Sequence, residues 1–194
     1  MCPRYLMVLV NRKGLSTMLK DLPPGEIRTG VSLGDYSEVF KVFADAPFFE
    51  YWAPEKIVKS YHDFDAEDAV IFGYYIGNEC AGILALRPHV PGQFPVTYPA
   101  DAKVMYFSDI ATLPQYRGMG IGTHLMLHGL RHIKVLGYEY AYLRTNEKGT
   151  SMSYGIAEKC GFKQIWGICQ EVDFPRTKPY IPTTDLRIFM EKAL

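Results

Sequence analysis

Apolar and polar positions along this chain follow two periods, and the switches between them mark out its elements. Residues 26–31 read as a first strand. Ser32-Leu33-Gly34-Asp35 then makes a capping-box-like start. Tyr36, Val39, Phe40 and Phe43 follow at i, i+3, i+4 and i+7, one face of an amphipathic helix. Pro54 suits the first position of a second helix carrying Ile57, Val58 and Tyr61 inward. Residues 69–76 and 79–86 are apolar, β-rich runs separated by Gly77-Asn78, a two-residue hairpin signal. Pro88, Pro91, Pro95 and Pro99 exclude regular structure from residues 87–103 and predict a long surface loop. Residues 104–113 are almost continuously apolar, as a central strand covered on both faces should be.

Helical periodicity returns over residues 120–136, with Ile121, Leu125, Leu130, Ile133 and Leu136 toward a core, and stops at Gly137, which suits a C′ position. A strand is expected over 138–145, then a short helix closing on Glu158-Lys159-Cys160-Gly161-Phe162. Residues 162–174 read as a long strand, and 184–190 alternate Leu186, Ile188 and Met190 as a final one, with an edge that a second subunit would pair with in a homodimer. The series of strand, two helices, hairpin, strand, helix, strand, helix and two strands predicts a mixed α/β fold. No internal repeat or low-complexity tract interrupts it.

Composition narrows the function classes. A chain of 194 residues is long enough for one well-buried core and short for two domains. Its formal net charge is zero, with no basic run beyond two residues, so neither nucleic acid nor a membrane surface is an expected partner. Cys2, Cys80, Cys160 and Cys169 are scattered without a C-x-x-C pair, which argues against structural zinc and a disulfide framework and fits a cytoplasmic setting. The apolar run at residues 6–10 is too short for a signal core or a membrane span and reads as an extra strand or docking arm.

Chemistry concentrates in Leu113-Pro114-Gln115-Tyr116-Arg117-Gly118-Met119-Gly120-Ile121-Gly122-Thr123, where a strand hands over to a helix. Alternating glycines let the backbone approach a ligand and leave N–H groups pointing outward at the positive end of a helix dipole, an anion cradle suited to a pyrophosphate. A Walker A loop is excluded, because no lysine occurs between Lys103 and Lys134. A dinucleotide fingerprint fits poorly: the third glycine arrives one residue early at Gly122, and no ribose-binding acid lies near Tyr140-Ala141-Tyr142-Leu143 closer than Glu139.

With Gln115, Gly118 and Gly120 in the pattern Gln/Arg-x-x-Gly-x-Gly/Ala, and Glu158-Lys159-Cys160-Gly161-Phe162 downstream, the chain resembles the GNAT superfamily of N-acetyltransferases over roughly residues 26–174. That resemblance implies residues 1–25 as an N-terminal extension and 26–194 as one GNAT-like domain. Its fold would be an α/β (α+β) one, a mixed, mainly antiparallel sheet of six to seven strands flanked by about four helices and splayed at the acyl-CoA site. It implies acetyl-CoA as co-substrate, no metal, and a small-molecule amine or peptide as acceptor. Backbone groups at Gln115, Arg117, Gly118, Met119, Gly120, Ile121 and Gly122, with the Thr123 hydroxyl, would hold the pyrophosphate. Ile110, Ala111 and Thr112 would pair with the pantetheine amides, and Asn146 would add an amide contact.

Asp109, embedded in Phe107-Ser108-Asp109-Ile110-Ala111, is the candidate base, since partial desolvation would raise its pKa; an equally available role is to hydrogen-bond the loop or a neighbouring strand. The resemblance places the leaving-group acid, a tyrosine, at a position that here is Ala157. Tyr154 one turn earlier, Ser151, Ser153 or water would then have to serve, and a catalytically silent acyl-CoA sensor becomes the alternative to an enzyme. His124, His128 and His132 recur on one helical stripe without an acidic third ligand, and read as a solvated face rather than a metal site. Phe48, Phe49, Tyr51, Trp52, Phe94 and Tyr98 are candidates for an aromatic acceptor pocket or for ordinary core packing.

Overall fold

Gly77 takes the left-handed backbone (φ 60°) that a tight hairpin requires, and joins β2 (Val70–Ile76) to β3 (Glu79–Pro88) with Ile76 opposite Glu79. β1 (Glu26–Thr29) lies antiparallel on the outer side of β2. The computed structural model describes residues 22–41, 54–62, 64, 69–146, 152–175 and 182–194. Expectations for the run at 6–10, for residues 1–21 of the extension, for Phe43 and for Phe48, Phe49, Tyr51, Trp52 and Ser151 lie outside these residues.

Between β1 and β2 come α1 (Leu33–Lys41) and α2 (Pro54–His62). Ser32 Oγ caps α1 by accepting from Asp35 N at 3.0 Å, one half of the box its sequence predicts, and donates to Asp35 Oδ2 at 3.0 Å. After β3, β4 (Val104–Thr112) leads through a short 3-10 turn (Pro114–Tyr116) into α3 (Ile121–Val135). β5 (Tyr140–Asn146), α4 (Met152–Lys159), β6 (Lys163–Pro175) and β7 (Pro182–Ala193) complete the chain. α3 ends in a Schellman motif: Gly137 has φ 79°, its N–H reaches Lys134 O at 3.1 Å, and Tyr138 N reaches Ile133 O at 3.1 Å.

The strands form one sheet in the order β1-β2-β3-β4-β5-β7-β6, antiparallel except for the parallel β4/β5 pair. This corrects one expectation. β7 is not an edge strand: over residues 187–193 it lies between β5 and β6, while residues 182–186 pair with β6.

Two layers cover the sheet. On one face Phe72, Leu84, Leu86 and Phe107 pack with Leu125, Met126, Leu130 and Ile133 of α3 and with Ala157 of α4. Gly129 brings α3 close, because a Cβ there would stand 2.8 Å from Leu84 Cδ2. On the other face α1 and α2 cover Ile83, Ala85 and Ala111 with Tyr36, Val39, Phe40 and Ile57. The Pro-rich loop covers the rest of that face. Its Val96 is buried with Val104, Tyr106, Tyr142 and Phe189, and Phe94 and Tyr98 pack on this third cluster, so both serve core packing. Two residues expected to point inward do not: Val58 is 38% exposed and Leu136, at the very end of α3, 52%.

The histidine stripe also differs from expectation. His124, His128 and His132 are half-buried under the sheet, with His128 and His132 edge-on to Phe72 (4.9 and 5.1 Å) and His124 to Tyr74 (5.8 Å). Burial holds all three below the usual histidine value, His128 at about 4. A group whose folded pKa is depressed binds fewer protons in the folded state, so stability is fully present above the ordinary value near 6.5 and is lost as pH falls toward about 4. His128→Gln should therefore flatten the decline of Tm between pH 6.5 and 4, by about 2–4 °C for each kcal/mol at this chain size. An unaltered slope in thermal melts across that range would place the acid sensitivity elsewhere.

Candidate active site

A β-bulge shapes the centre of the molecule. Leu86 pairs with Phe107 and Ala85 with Asp109, so Ser108 is the extra residue in β4, and its Oγ donates to Ala85 O at 3.1 Å. The bulge reverses the facing of the rest of the strand. Phe107 looks toward α3, whereas Asp109 shares the α1/α2 face with Ala85 and Ala111. At the same level β4 parts from β5. The parallel ladder runs only from Val104/Tyr140 to Phe107/Leu143; beyond it, β4 stays with β3 while Arg144, Thr145 and Asn146 follow β7. The two central strands thus open into a V, and β4 presents a backbone edge that β5 does not use.

The turn after β4 closes the open end of the V. Arg117 is extended and its Nε donates to Thr112 O at 3.2 Å. Gly118 (φ 81°) and Gly120 (φ 85°) are left-handed, a backbone that L side chains adopt at a cost of roughly 1–2 kcal/mol. Gly120 is the N-cap of α3 and no side chain caps that helix. The first intrahelical bond is His124 N to Gly120 O at 2.9 Å, so the preceding N–H groups of the first turn have no intrahelical acceptor, and no acidic residue stands there to neutralise the dipole.

A cleft of about 1030 Å³ passes through this opening. The glycine turn and α3 wall one end, and Met152, Ser153, Gly155, Ile156 and Lys159 of α4 form one flank. Ser153 Oγ lies 2.6 Å from Thr145 Oγ1. On the opposite side of the sheet the cleft reaches Phe40, Phe64 and the α2 residues Lys56, Lys59 and Ser60. Asp109 sits between the two openings. Burial raises its carboxyl above the usual carboxylate range, opposed by the positive charge of Arg87, the neighbouring Ser108 hydroxyl and the positive charge of Arg144. A splayed sheet, an uncapped helix terminus and a half-buried carboxylate thus share one cavity.

The model of the Acetyltransferase (GNAT) family matches residues 36–162. The chain belongs to this family. Solved GNAT-fold structures agree. An acetyltransferase from Bacillus subtilis in complex with CoA is 19% identical, with 88% of this chain and 99% of that one covered at a TM-score of 0.60. The ribosomal-protein-S18-alanine N-acetyltransferase from Escherichia coli is 16% identical, covering 88% and 94% at 0.63. The PaiA N-acetyltransferase from Thermoplasma acidophilum in complex with coenzyme A is 17% identical, covering 87% and 99% at 0.54. At such identities the likeness is one of fold. No curated protein matches the chain.

Within this GNAT fold, most residues singled out in the sequence come together. Asp109, Ile110, Ala111, Thr112, Arg117, Gly118, Gly120, Ile121, Gly122, Thr123 and Asn146 all line the cleft. Three do not. Gln115 is turned away, its Nε2 donating to Glu79 Oε1 at 3.1 Å. Met119 projects outward, 37% exposed. Tyr154 is buried in the α3/α4 core cluster beside the fully buried Ala157, and neither borders the cleft. Asn146 Oδ1 accepts from the Arg187 guanidinium. Arg87, Arg144 and Arg187 also line the cleft and were not anticipated. The available signal was a charged residue placed within, or ending, an otherwise apolar strand run.

Among the described residues, no helix is long and apolar enough to cross a membrane.

Proposed function

We propose that the chain is an N-acetyltransferase that moves acetyl from acetyl-CoA to a primary amine of a small molecule or peptide. The observation that carries this reading is the V between β4 and β5 opening onto the uncapped N-terminus of α3. Backbone N–H groups of Gly118, Gly120, Ile121 and Gly122, together with the Thr123 hydroxyl, would take the diphosphate. The unused edge of β4 at Ile110, Ala111 and Thr112 would pair with pantetheine amides as an added strand does, with Asn146 facing it across the opening. The thioester supplies an activated acetyl group there.

Acetyl transfer forms an N–C bond and breaks a C–S bond. Asp109 accepts the proton lost by the attacking amine, directly or through one water. The departing thiolate takes a proton from the cleft wall, where Ser153 or water is the candidate; Tyr154 does not border the cleft and Ala157 has no proton to give. Direct attack fits the side chains available. Cys80 and Cys160 are buried away from the cleft, and burial pushes both thiols up to about 11, so neither is a thiolate nucleophile at neutral pH.

The test is calorimetric titration with CoA followed by thiol release from acetyl-CoA across a panel of primary amines. Binding with amine-dependent release supports the assignment; binding with no release from any amine would leave a silent acyl-CoA sensor as the better account.

A further inference from the structure

We propose that the acceptor amine carries a carboxylate, and that Arg87 and Arg144 receive it. This rests on the acetyltransferase reading above and names the substrate class at the same site. Facing decides which groups meet the acceptor. Because Ser108 is bulged out, Asp109 shares a sheet face with Arg87, whose cross-strand partner is Tyr106. Tyr106 pairs with Tyr142 and stacks on it at 4.9 Å, which puts Tyr142, and hence Arg144 two residues on, on the same face. Arg87 and Arg144 therefore flank Asp109 from β3 and β5, across the opening and on the side of α1 and α2. Both pull its carboxyl downward, so both act on the same small volume.

Among the described residues the charges in that volume do not balance: Asp109 is the lone carboxylate lining the cleft, against Arg87 and Arg144 on the sheet and Lys56 and Lys59 on α2. Among the described residues neither Arg87 nor Arg144 has a carboxylate within ion-pair distance. The Arg87 Nε is buried without a hydrogen-bond partner, and its guanidinium lies over Tyr106 at 5.2 Å. Arg144 is oriented by Gln170 Oε1 at 2.8 Å and by the Phe94 ring at 5.0 Å. A buried donor left unmade is costly, and a planar guanidinium held by an aromatic face is prepared to bind a carboxylate. One arginine suffices to offset Asp109; the second is surplus until an anion enters. A polycationic acceptor would meet repulsion here.

The experiment compares matched amines with the whole chain: α-amino acids, β-alanine, γ-aminobutyrate and short dipeptides, each with a free carboxylate and as its carboxamide. CoA affinity, acceptor binding to the CoA-loaded protein and kcat/KM are measured for each pair. At least one carboxylate should exceed its carboxamide in kcat/KM on the order of ten- to a hundredfold, mainly through KM and weakening with added salt. Arg87→Gln and Arg144→Gln should each bring that carboxylate down to the level of its carboxamide while CoA affinity holds, with Arg87→Lys recovering part of the preference. CoA binding with carboxamides equal to or better than carboxylates, or with neither series bound or acetylated, would overturn the inference and leave the donor site standing. Loss of CoA affinity in the arginine variants would overturn it too, by moving these residues to the donor side. Absence of CoA binding by the wild-type chain would instead remove the reading beneath it.

Discussion

Replacing Asp109 by Asn is expected to cost roughly 10²–10⁴ in kcat at neutral pH, the range a positioned general base supplies. The same substitution should raise thermal stability. Burial lifts the carboxyl above its ordinary range more strongly than Arg87, Ser108 and Arg144 pull it down. A carboxyl with a raised folded pKa binds more protons in the folded state, so its folded form loses stability as pH rises from the ordinary value near 3.9 through the raised one. The full cost is present only above the raised value; below the ordinary value it vanishes. The uncharged amide of Asp109→Asn carries no such cost, so the variant's gain in Tm should be largest above the raised pKa and shrink to nothing in acid. The wild-type rate should fall on acidification through the raised pKa, and that limb should be missing from the variant. Opposite signs in rate and stability are what separate a base from a carboxylate that merely braces the loop. If the variant kept both the wild-type rate and the acidic limb, the proton would have to go elsewhere.

What could be read from the sequence divides along physical lines. The glycine turn was legible because left-handed backbone at Gly118 and Gly120 is a demand that one residue type meets cheaply, and because a strand ran into it and a helix out of it. The hairpin at Gly77-Asn78, the Ser32 cap and the Gly137 stop were legible for the same reason: each is a local requirement with a short residue signature. Facing was not. Strict alternation from Phe107 would have put Asp109 against α3, and the bulge at Ser108, which no residue type announces, turns it to the other side. Arg87 and Arg144 stayed hidden because their role depends on that reversal and on pairing between strands remote in sequence. The order of β7 and β6 has the same origin: alternation in 184–190 marks a strand but not its neighbours. The histidine stripe was misjudged because i, i+4, i+8 spacing fixes a shared face without saying what covers it, and here the cover is Phe72 and Tyr74.

Gly118→Ala is expected to weaken CoA binding by about tenfold or more while leaving the fold nearly intact. A Cβ at Gly118 would meet no protein atom within 4 Å, so the folded chain bears only the left-handed cost of roughly 1–2 kcal/mol. At this size that amounts to a fall in Tm of about 2–8 °C. Gly118 lines the cleft, so the new methyl is expected to take room beside the N–H groups proposed for the diphosphate. Backbone donors reach a phosphate oxygen only at close approach, and a methyl on the ligand side holds it off. Gly122 provides the control, because the Cβ of a Gly122→Ala variant would stand 3.0 Å from Ile156 Cδ1 and 3.5 Å from Ile110 Cδ1, which strains the contact between α3 and α4 as well as the cleft wall. Its losses in stability and affinity should therefore run together, whereas Gly118→Ala should separate them. Calorimetric titration of CoA and thermal melts on both variants read the two quantities. If Gly118→Ala bound CoA as tightly as the parent, the diphosphate would not lie in this turn, and the assignment of Gly118, Gly120, Ile121 and Gly122 as its donors would fall with it.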